Sequence, residues 1–515
     1  VSWIQDLRFA RRSLRRSPGF ALLAIATLAI GIGANTAIFS VVRGVLLKPL
    51  PFREPERLVR VGHVRPDSSG PGATFSPQDF EDLEKRAGVF ESLGAYWYQA
   101  AQSGVTMTGA GDPDRLDTTF VSRHFFRTLG VAANAGRLPA SDEFVAGRDR
   151  VAVISDSYWR SHFGGNRAVV GSAVRIDGQP FTLIGVMPPS FTYPSPEVDA
   201  WIPISRITDD DIPHLRGLRW QSVVGRLAPG QSVESARAAA AAVTTDLERT
   251  YKDTNEGFGQ AMVLPLSETI VGTSRRALVI LLAAVGLVLL VACANVANLL
   301  AARAAGRQRE ISVRAALGAS RKRLAALLLT ESLLLAFIGG AAGVLLAVWG
   351  VEALSAIGAD RIPRWVEVSV DPLVLAFAAA AAILSGLLSG LLPAWRLLRK
   401  DPSAGFAARG EVTAQGSWRV LVAAETALTA VLLVGAALLS RSVWQLVSTD
   451  PGFRAENVLA ISTTIPDETP PYYGTPRRRE LIGALRALPG VVAAGASKTM
   501  PLAGGGEPYD PTALV

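Results

Sequence analysis

The run LVILLAAVGLVLLVACANVANLLAA, residues 278–302, carries no charged side chain, and RAAGRQREISVRAALGASRKRL, residues 303–324, dense in arginine, follows it directly. The first stretch exceeds the roughly 20 apolar residues a helix needs to cross a bilayer. Backbone amides in hydrocarbon must bond within their own segment, so the run reads as a helix. Four further runs share its character: Phe20 to Leu47, Leu324 to Val351, Leu373 to Leu398 and Val420 to Val443. The chain reads as a polytopic α-helical membrane protein with five spans. Composition agrees, with 49% hydrophobic and 19% charged residues among 515 and a mean hydropathy of +0.28.

Basic side chains near span ends tend to stay on the cytoplasmic side. Arg8, Arg11, Arg12, Arg15 and Arg16 precede the first span, seven basic residues from Arg303 to Arg323 separate the second from the third, and Arg396, Arg399, Lys400, Arg409 and Arg419 follow the fourth. The third and fourth spans are joined instead by Glu352, Asp360, Glu367 and Asp371 against Arg361 and Arg364. Arg43, Lys48, Arg275, Arg276 and Arg441 run against the trend and are outnumbered. The N-terminus is therefore expected in the cytoplasm, with residues 48–275 and 444–515 on the opposite side of the membrane. The net charge of +8 sits largely in these juxtamembrane clusters, where anionic lipid is the nearer partner and nucleic acid is not expected.

Phe20 to Leu47 is too long for the apolar core of a cleaved signal, typically about 7 to 15 residues. Before it, Trp3, Ile4, Leu7 and Leu14 recur near helical spacing opposite the arginines, which points to an amphipathic helix on the cytoplasmic leaflet. A disordered basic tail is the alternative. The single cysteine, Cys293, falls inside the second span, so the exported domain is stabilised by its core and not by a disulfide.

The segment between the first two spans reads as an α+β domain. Strands are expected at Leu58 to Val64, Arg150 to Ile154, Ala173 to Ile176, Phe181 to Val186 and Trp220 to Leu227, with turns at Asp177-Gly178 and Pro229-Gly230. Helices fit Ser76 to Arg86, Ser155 to Phe163 and Ser232 to Tyr251, each opening on a serine suited to N-capping. A weak repeat is present: Phe52, Arg53 and Leu58 after the first span recur at a constant offset as Phe453, Arg454 and Leu459 after the fifth. The last segment therefore reads as the opening of a duplicate half. The expected ranges are 1–17 for a cytoplasmic amphipathic basic segment, then spans at 18–47, 276–302, 324–351, 373–398 and 420–443. Between and after them come the exported domain at 48–275, a cytoplasmic loop at 303–323, an external loop at 352–372, a cytoplasmic linker at 399–419 and a truncated second exported domain at 444–515.

No catalytic centre is legible. His63, His124, His162 and His214 are scattered without metal-ligand spacing, and Asp209-Asp210-Asp211 reads as a solvated loop, so no metal or cofactor is expected. No G-x-x-x-x-G-K-[ST] occurs, which leaves ATP hydrolysis to another subunit, and a membrane-anchored hydrolase lacks a nucleophile with a placed base. Gly31 and Gly33 read as packing residues inside a span, as do the pairs Gly339 with Gly343 and Gly386 with Gly390. Within the spans Asn295 and Asn298 are expected to bond across helices. Glu331 and Glu425 are candidates either for structural pairing with Arg323 or Arg419 and their neighbours, or for a proton or substrate role. The loop after the second span is the informative site. Glu310 and Arg314 at i,i+4 support a short helix, Ile311, Ala315 and Leu317 give it an apolar edge, and Gly318 can end it. Such a helix, tied at both ends to spans, suits docking to a cytoplasmic partner; an ordinary basic connection is the alternative.

That loop resembles the coupling helix of ABC transporter permeases of the MacB/FtsX and lipoprotein-release type, in which a motif like R-E-I-x-x-R-x-A-L-G-A-S precedes the third span. Residues 31–39, GIGANTAIF, and 292–299, ACANVANL, carry the likeness in the spans; 163–165, FGG, and 185–189, GVMPP, carry it in the exported domain. The chain is most similar to the duplicated orphan permeases, in which two such halves are fused. The resemblance implies that Arg309, Glu310, Ile311, Arg314, Leu317 and Gly318 meet a cytoplasmic ABC ATPase subunit, and that residues 48–275 form a MacB-like periplasmic core domain. The expected function is a permease that couples ATP hydrolysis by that separate subunit to motion of the exported domain, for export or mechanotransmission. Its partners would be the ATPase, a second fused permease half, membrane lipid and a protein of the cell envelope. The alternative is a regulatory or sensing membrane protein that acts through the exported domain without transport.

Overall fold

A computed structural model describes residues 3–64, 74–98, 104–109, 113–206, 216–306, 313, 320–357, 371–399, 415–448, 458–459 and 476–495. In chain order, α1 (Trp3–Arg15) and α2 (Pro18–Val42) come first, and α2 ends in a π-helical turn at Arg43–Leu47. The α+β domain then supplies β1 (Leu58–His63), α3 (Pro77–Arg86), β2 (Phe90–Trp97), β3 (Gly104–Thr108), β4 (Asp114–Val121), α4 (Phe125–Leu129), β5 (Ala135–Gly136) and β6 (Val151–Ile154). It continues with α5 (Asp156–Phe163), β7 (Ala173–Ile176), β8 (Gln179–Val186), β9 (Ala200–Pro203), β10 (Ser222–Leu227), α6 (Val233–Thr250), α7 (Lys252–Asn255) and β11 (Ala261–Pro265). Four long helices follow, α8 (Leu266–Gly306), α9 (Arg321–Ile357), α10 (Pro372–Arg399) and α11 (Gln415–Ser448), and then α12 (Pro476–Arg486). Two compact units result, one containing Val1–Lys48 and the long helices from Thr273 through α11, the other Pro49–Gly272 together with α12.

The sheet of the α+β unit runs β11-β1-β10-β2-β4-β3-β7-β8-β6-β9, and β9 returns to pair with β4, so the last six strands close on themselves. The first four strands remain an open antiparallel sheet with both faces covered. On one face Val59, Val61, Leu93, Ala95, Val223 and Leu227 pack against Leu83 of α3 and Ala236, Ala240, Val243 and Leu247 of α6. On the other, Leu58, Tyr96 and Val224 meet Phe125, Phe126 and Leu129 of α4 together with Phe191, Tyr193 and Trp201. Neighbouring residues of β10 thus go to opposite cores, as the period-two pleat requires. A third core, with Leu116, Phe120, Ala152, Ile154, Val174 and Leu183, fills the closed strands.

The serine caps stand where the sequence places them: Ser76, Ser155 and Ser232 accept from the amides of Asp79, Tyr158 and Ser235, which satisfies donors that the first helical turn leaves open. The β7–β8 hairpin turns on Asp177 (φ 46°) and Gly178 (φ 75°), the left-handed pair a two-residue hairpin needs. Strands β2, β3, β4, β5, β9 and β11 fall outside the sequence reading. β4, DRLDTTFV, opens with two acids within four residues, and β9 is four residues ending in proline, so the strand signal of each is short.

In the other unit, among the described residues, five helices are long and apolar enough to cross a membrane, at Pro18–Leu47, Arg275–Ala304, Arg323–Gly350, Pro372–Leu391 and Val422–Gln445. Glycine sets how closely they approach. A Cβ on Gly33 of α2 would lie 2.8 Å from the carbonyl oxygen of Gly343 on α9, so those backbones touch. Gly386 of α10 abuts the backbone of Leu333 in the same way. Leu28, Ile32, Val296, Leu300, Leu335, Ala336, Ala381 and Ala382 form the apolar centre of this bundle, and Leu14 of α1 joins it. The amphipathic reading of α1 is thus modified: Ala10, Ser13 and Leu14 are buried against protein, not against lipid alone.

Candidate functional site

Arg309, Glu310, Ile311, Arg314, Leu317 and Gly318 lie outside the described residues, as do His214 and Asp209 to Asp211. The two ends of the loop are described. α8 delivers Arg303 in its last turn, and Ser320 opens α9 by accepting from the amide of Arg323 at 3.3 Å. A polar joint forms there. Nη1 of Arg303 stands 3.0 Å from Oε1 of Glu331 on α9. Its Nη2 donates to the carbonyl of Ser13 at 2.6 Å and to the Ser13 hydroxyl at 3.1 Å. Ser13 Oγ in turn donates to Glu331 Oε1 at 2.8 Å, and the guanidinium lies over the ring of Phe20, 4.5 Å from its centroid.

The joint therefore ties α1, α2, α8 and α9 through side chains that are 14% (Arg303) and 5% (Glu331) exposed. Neither charge could stay in so dry a place alone, and each offsets the charge of the other. Glu331 meets Arg303, and Glu425 of α11 accepts from Nδ2 of Asn298 at 3.0 Å. The Asn298–Glu425 bond crosses from α8 to α11, whereas Asn295 is exposed. Sequence reasoning missed Asn35, whose Nδ2 donates to the carbonyls of Gly31 at 2.9 Å and of Val285 at 2.7 Å, joining α2 to α8. It also missed Ser13 and Asp371. Asp371 pairs with Arg43 at the opposite end of the bundle, so one of the arginines that runs against the charge bias is neutralised there.

Three of the histidines have defined settings. His63 is buried, with Nδ1 2.6 Å from the Phe258 carbonyl oxygen, and burial pushes its pKa down to about 4. His124 meets Glu84 at 2.9 Å and His162 meets Asp114 at 2.7 Å. Nearby, burial together with the Asp117 and Asp114 carboxylates raises the Asp199 carboxyl to about 6. Among the described residues no group of three or more His, Cys, Asp or Glu side chains is placed to hold a metal.

Residues 21–243 match the MacB-like periplasmic core domain and residues 282–402 the FtsX-like permease C-terminal domain. The ABC transporter permease YknZ of Bacillus subtilis (strain 168) is 24% identical over 421 residues, which are 78% of this chain and 98% of the relative. The macrolide export ATP-binding/permease protein MacB of Chromobacterium violaceum is 30% identical over 287 residues, 55% of this chain. That match takes in 42% of the relative, so the chain spans about two fifths of it. Among solved structures, the extracellular domain of the noncanonic ABC-type transporter YknZ from Gram-positive bacteria aligns at 17% identity with a TM-score of 0.30, covering 40% of this chain and 99% of that domain. With both domains in this order around span-length helices, the protein is a multi-pass ABC transporter permease subunit. Within that class it belongs to the MacB/FtsX type.

Proposed function

We propose that the chain receives motion at its 303–323 loop from a separate cytoplasmic ABC ATPase and passes it through the spans to the domain at 48–275. The observation that carries this reading is the Arg303–Glu331–Ser13 joint. It closes the base of the loop, because Arg303 leaves the second span and Glu331 enters the third. A push on a loop so closed moves α8 and α9 together with α1 instead of splaying them. In this reading ATP hydrolysis belongs to the partner; residues 1–515 contain no phosphate-binding loop of the G-x-x-x-x-G-K-[ST] kind. The cytoplasmic side of the loop follows from the arginine bias.

The test is an affinity pull-down of the protein from its native membrane in mild detergent, with and without Glu310→Lys and Leu317→Asp. Recovery of an ATPase that both substitutions abolish, with insertion intact, is the expected outcome. Envelope proteins recovered reproducibly with no ATPase would replace this reading with a sensing role, which the same fold can host.

A further inference from the structure

We infer that Arg226 is a positioning residue that fastens the exit of the first span to the central sheet, so that residues 49–57 move with β10 as one piece. The inference deepens the coupling reading, because residues 49–57 are the covalent link from α2 into the domain. Arg226 sits in β10, between β1 and β2, and is 2% exposed. An arginine in such a position keeps its charge and must find acceptors for its whole fork. It finds them in the backbone of two other segments. Nε donates to the carbonyl of Thr128 at 2.9 Å, at the end of α4, and Nη2 to the carbonyl of Arg53 at 2.6 Å. Nη1 reaches the Glu54 carbonyl at 3.4 Å and stands 3.7 Å from the Glu54 carboxylate.

The fastening is reciprocal. Arg57, at the end of the exit segment, donates through Nε and Nη2 to the carbonyl of Leu227, at 2.9 and 2.6 Å, and also bonds the Glu54 and Glu91 carboxylates. Phe52 enters the aromatic core edge-on, 6.3 Å from Phe191 and 6.0 Å from Tyr193. Glu54 holds φ at 45°, a left-handed conformation that L side chains rarely adopt, in the segment whose carbonyls Arg226 takes. Gly130 keeps the space open: its φ is 68°, and a Cβ there would lie 2.8 Å from Cβ of Arg53 and 3.2 Å from Nη2 of Arg226. The sequence repeat marks the same residues independently. Phe52, Arg53 and Leu58, which recur as Phe453, Arg454 and Leu459, supply the ring, one of the clamped carbonyls and the β1 residue in register with Arg226.

Hydrogen exchange measured by mass spectrometry on the whole chain in lipid nanodiscs tests the assignment. In Arg226→Met the amides of Phe52 and Arg57, bonded to the Leu50 and Glu54 carbonyls, should exchange at least tenfold faster while β6 to β9 keep their rates. Arg226→Lys, which keeps the charge without the fork, should fall between. Arg57→Gln removes the reciprocal bonds without emptying a buried site and should give the same local pattern at smaller size, which covers the case of an Arg226→Met chain that fails to fold. Unchanged exchange over 50–58, or an equal rise throughout the domain, would overturn the assignment. No ATPase enters this readout, so its result stands apart from that of the pull-down.

Discussion

Arg303 and Glu331 meet where water is scarce, and the price of separating them is set by that dryness. Removing one partner of a buried pair leaves an uncompensated charge and costs about 3–5 kcal/mol, whereas removing both is often close to neutral. Arg303→Ala and Glu331→Gln should therefore each lower the yield of folded protein after a heat step in nanodiscs, followed by fluorescence-detected size exclusion. The double variant Arg303→Met, Glu331→Met should recover most of it; a double variant as fragile as the singles would show that the pair is not the source. Asp199 offers a pH prediction. Its folded value, about 6, lies above the usual carboxylate value near 4, so the folded domain binds more protons than the unfolded chain between the two. That contribution is fully present below about pH 4 and is lost as pH rises through 6. His63 works in the opposite sense: held neutral down to about pH 4, it favours folding as pH rises towards 6.5. Comparison of wild type with Asp199→Asn separates the two. The variant should be more stable at pH 7.5 by about 1–2 kcal/mol, after allowance for partial exposure, and the gain should shrink by pH 5 in chemical-denaturation curves. At this scale Glu331 was visible in the sequence as an acid inside a span, but its partner was not. Arg303 read there as one topology signal among many.

The elements divide by how local their causes are. The Ser76, Ser155 and Ser232 caps and the Asp177-Gly178 turn are chemistry confined to four or five residues, and each was legible before any coordinates. β4 and β9 were not, because their local signal is short and their pairing is distant, including the parallel pairing of Thr118 to Val121 with Ala200 to Pro203, some eighty residues away. The small residues of the spans were legible as packing faces, though not the pairings they make. Gly33 and Gly343 touch backbone to backbone, so Gly33→Leu should force α2 from α9 and cost about 1–3 kcal/mol by overpacking. Gly350→Leu, at a position with nothing within 4 Å, serves as the control. Equal melting temperatures for the two variants in detergent would remove the Gly33–Gly343 contact from the list of what holds the bundle.

At the scale of the whole molecule, the permease domain at 282–402 and the core domain at 21–243 share one chain, and the reading of its function turns on which side each lies. A reporter fused after Gly178 should be active outside the cytoplasm and one fused at Gly306 inside it. Disagreement at either point would invert the topology and with it the direction in which motion is passed. Sequence by itself determined that the chain carries helices long and apolar enough to cross a membrane and that an α+β domain stands between the first two. Those properties are sums over neighbours: twenty apolar residues in a row, arginines at one end, a serine before a helix. Only the tertiary structure decided that Ser13 would share a carboxylate with Arg303 on a residue 318 positions away, or that Arg226 would hold the carbonyl of Arg53 across 173. Such contacts depend on how whole helices and sheets pack, and no short window of sequence carries that information.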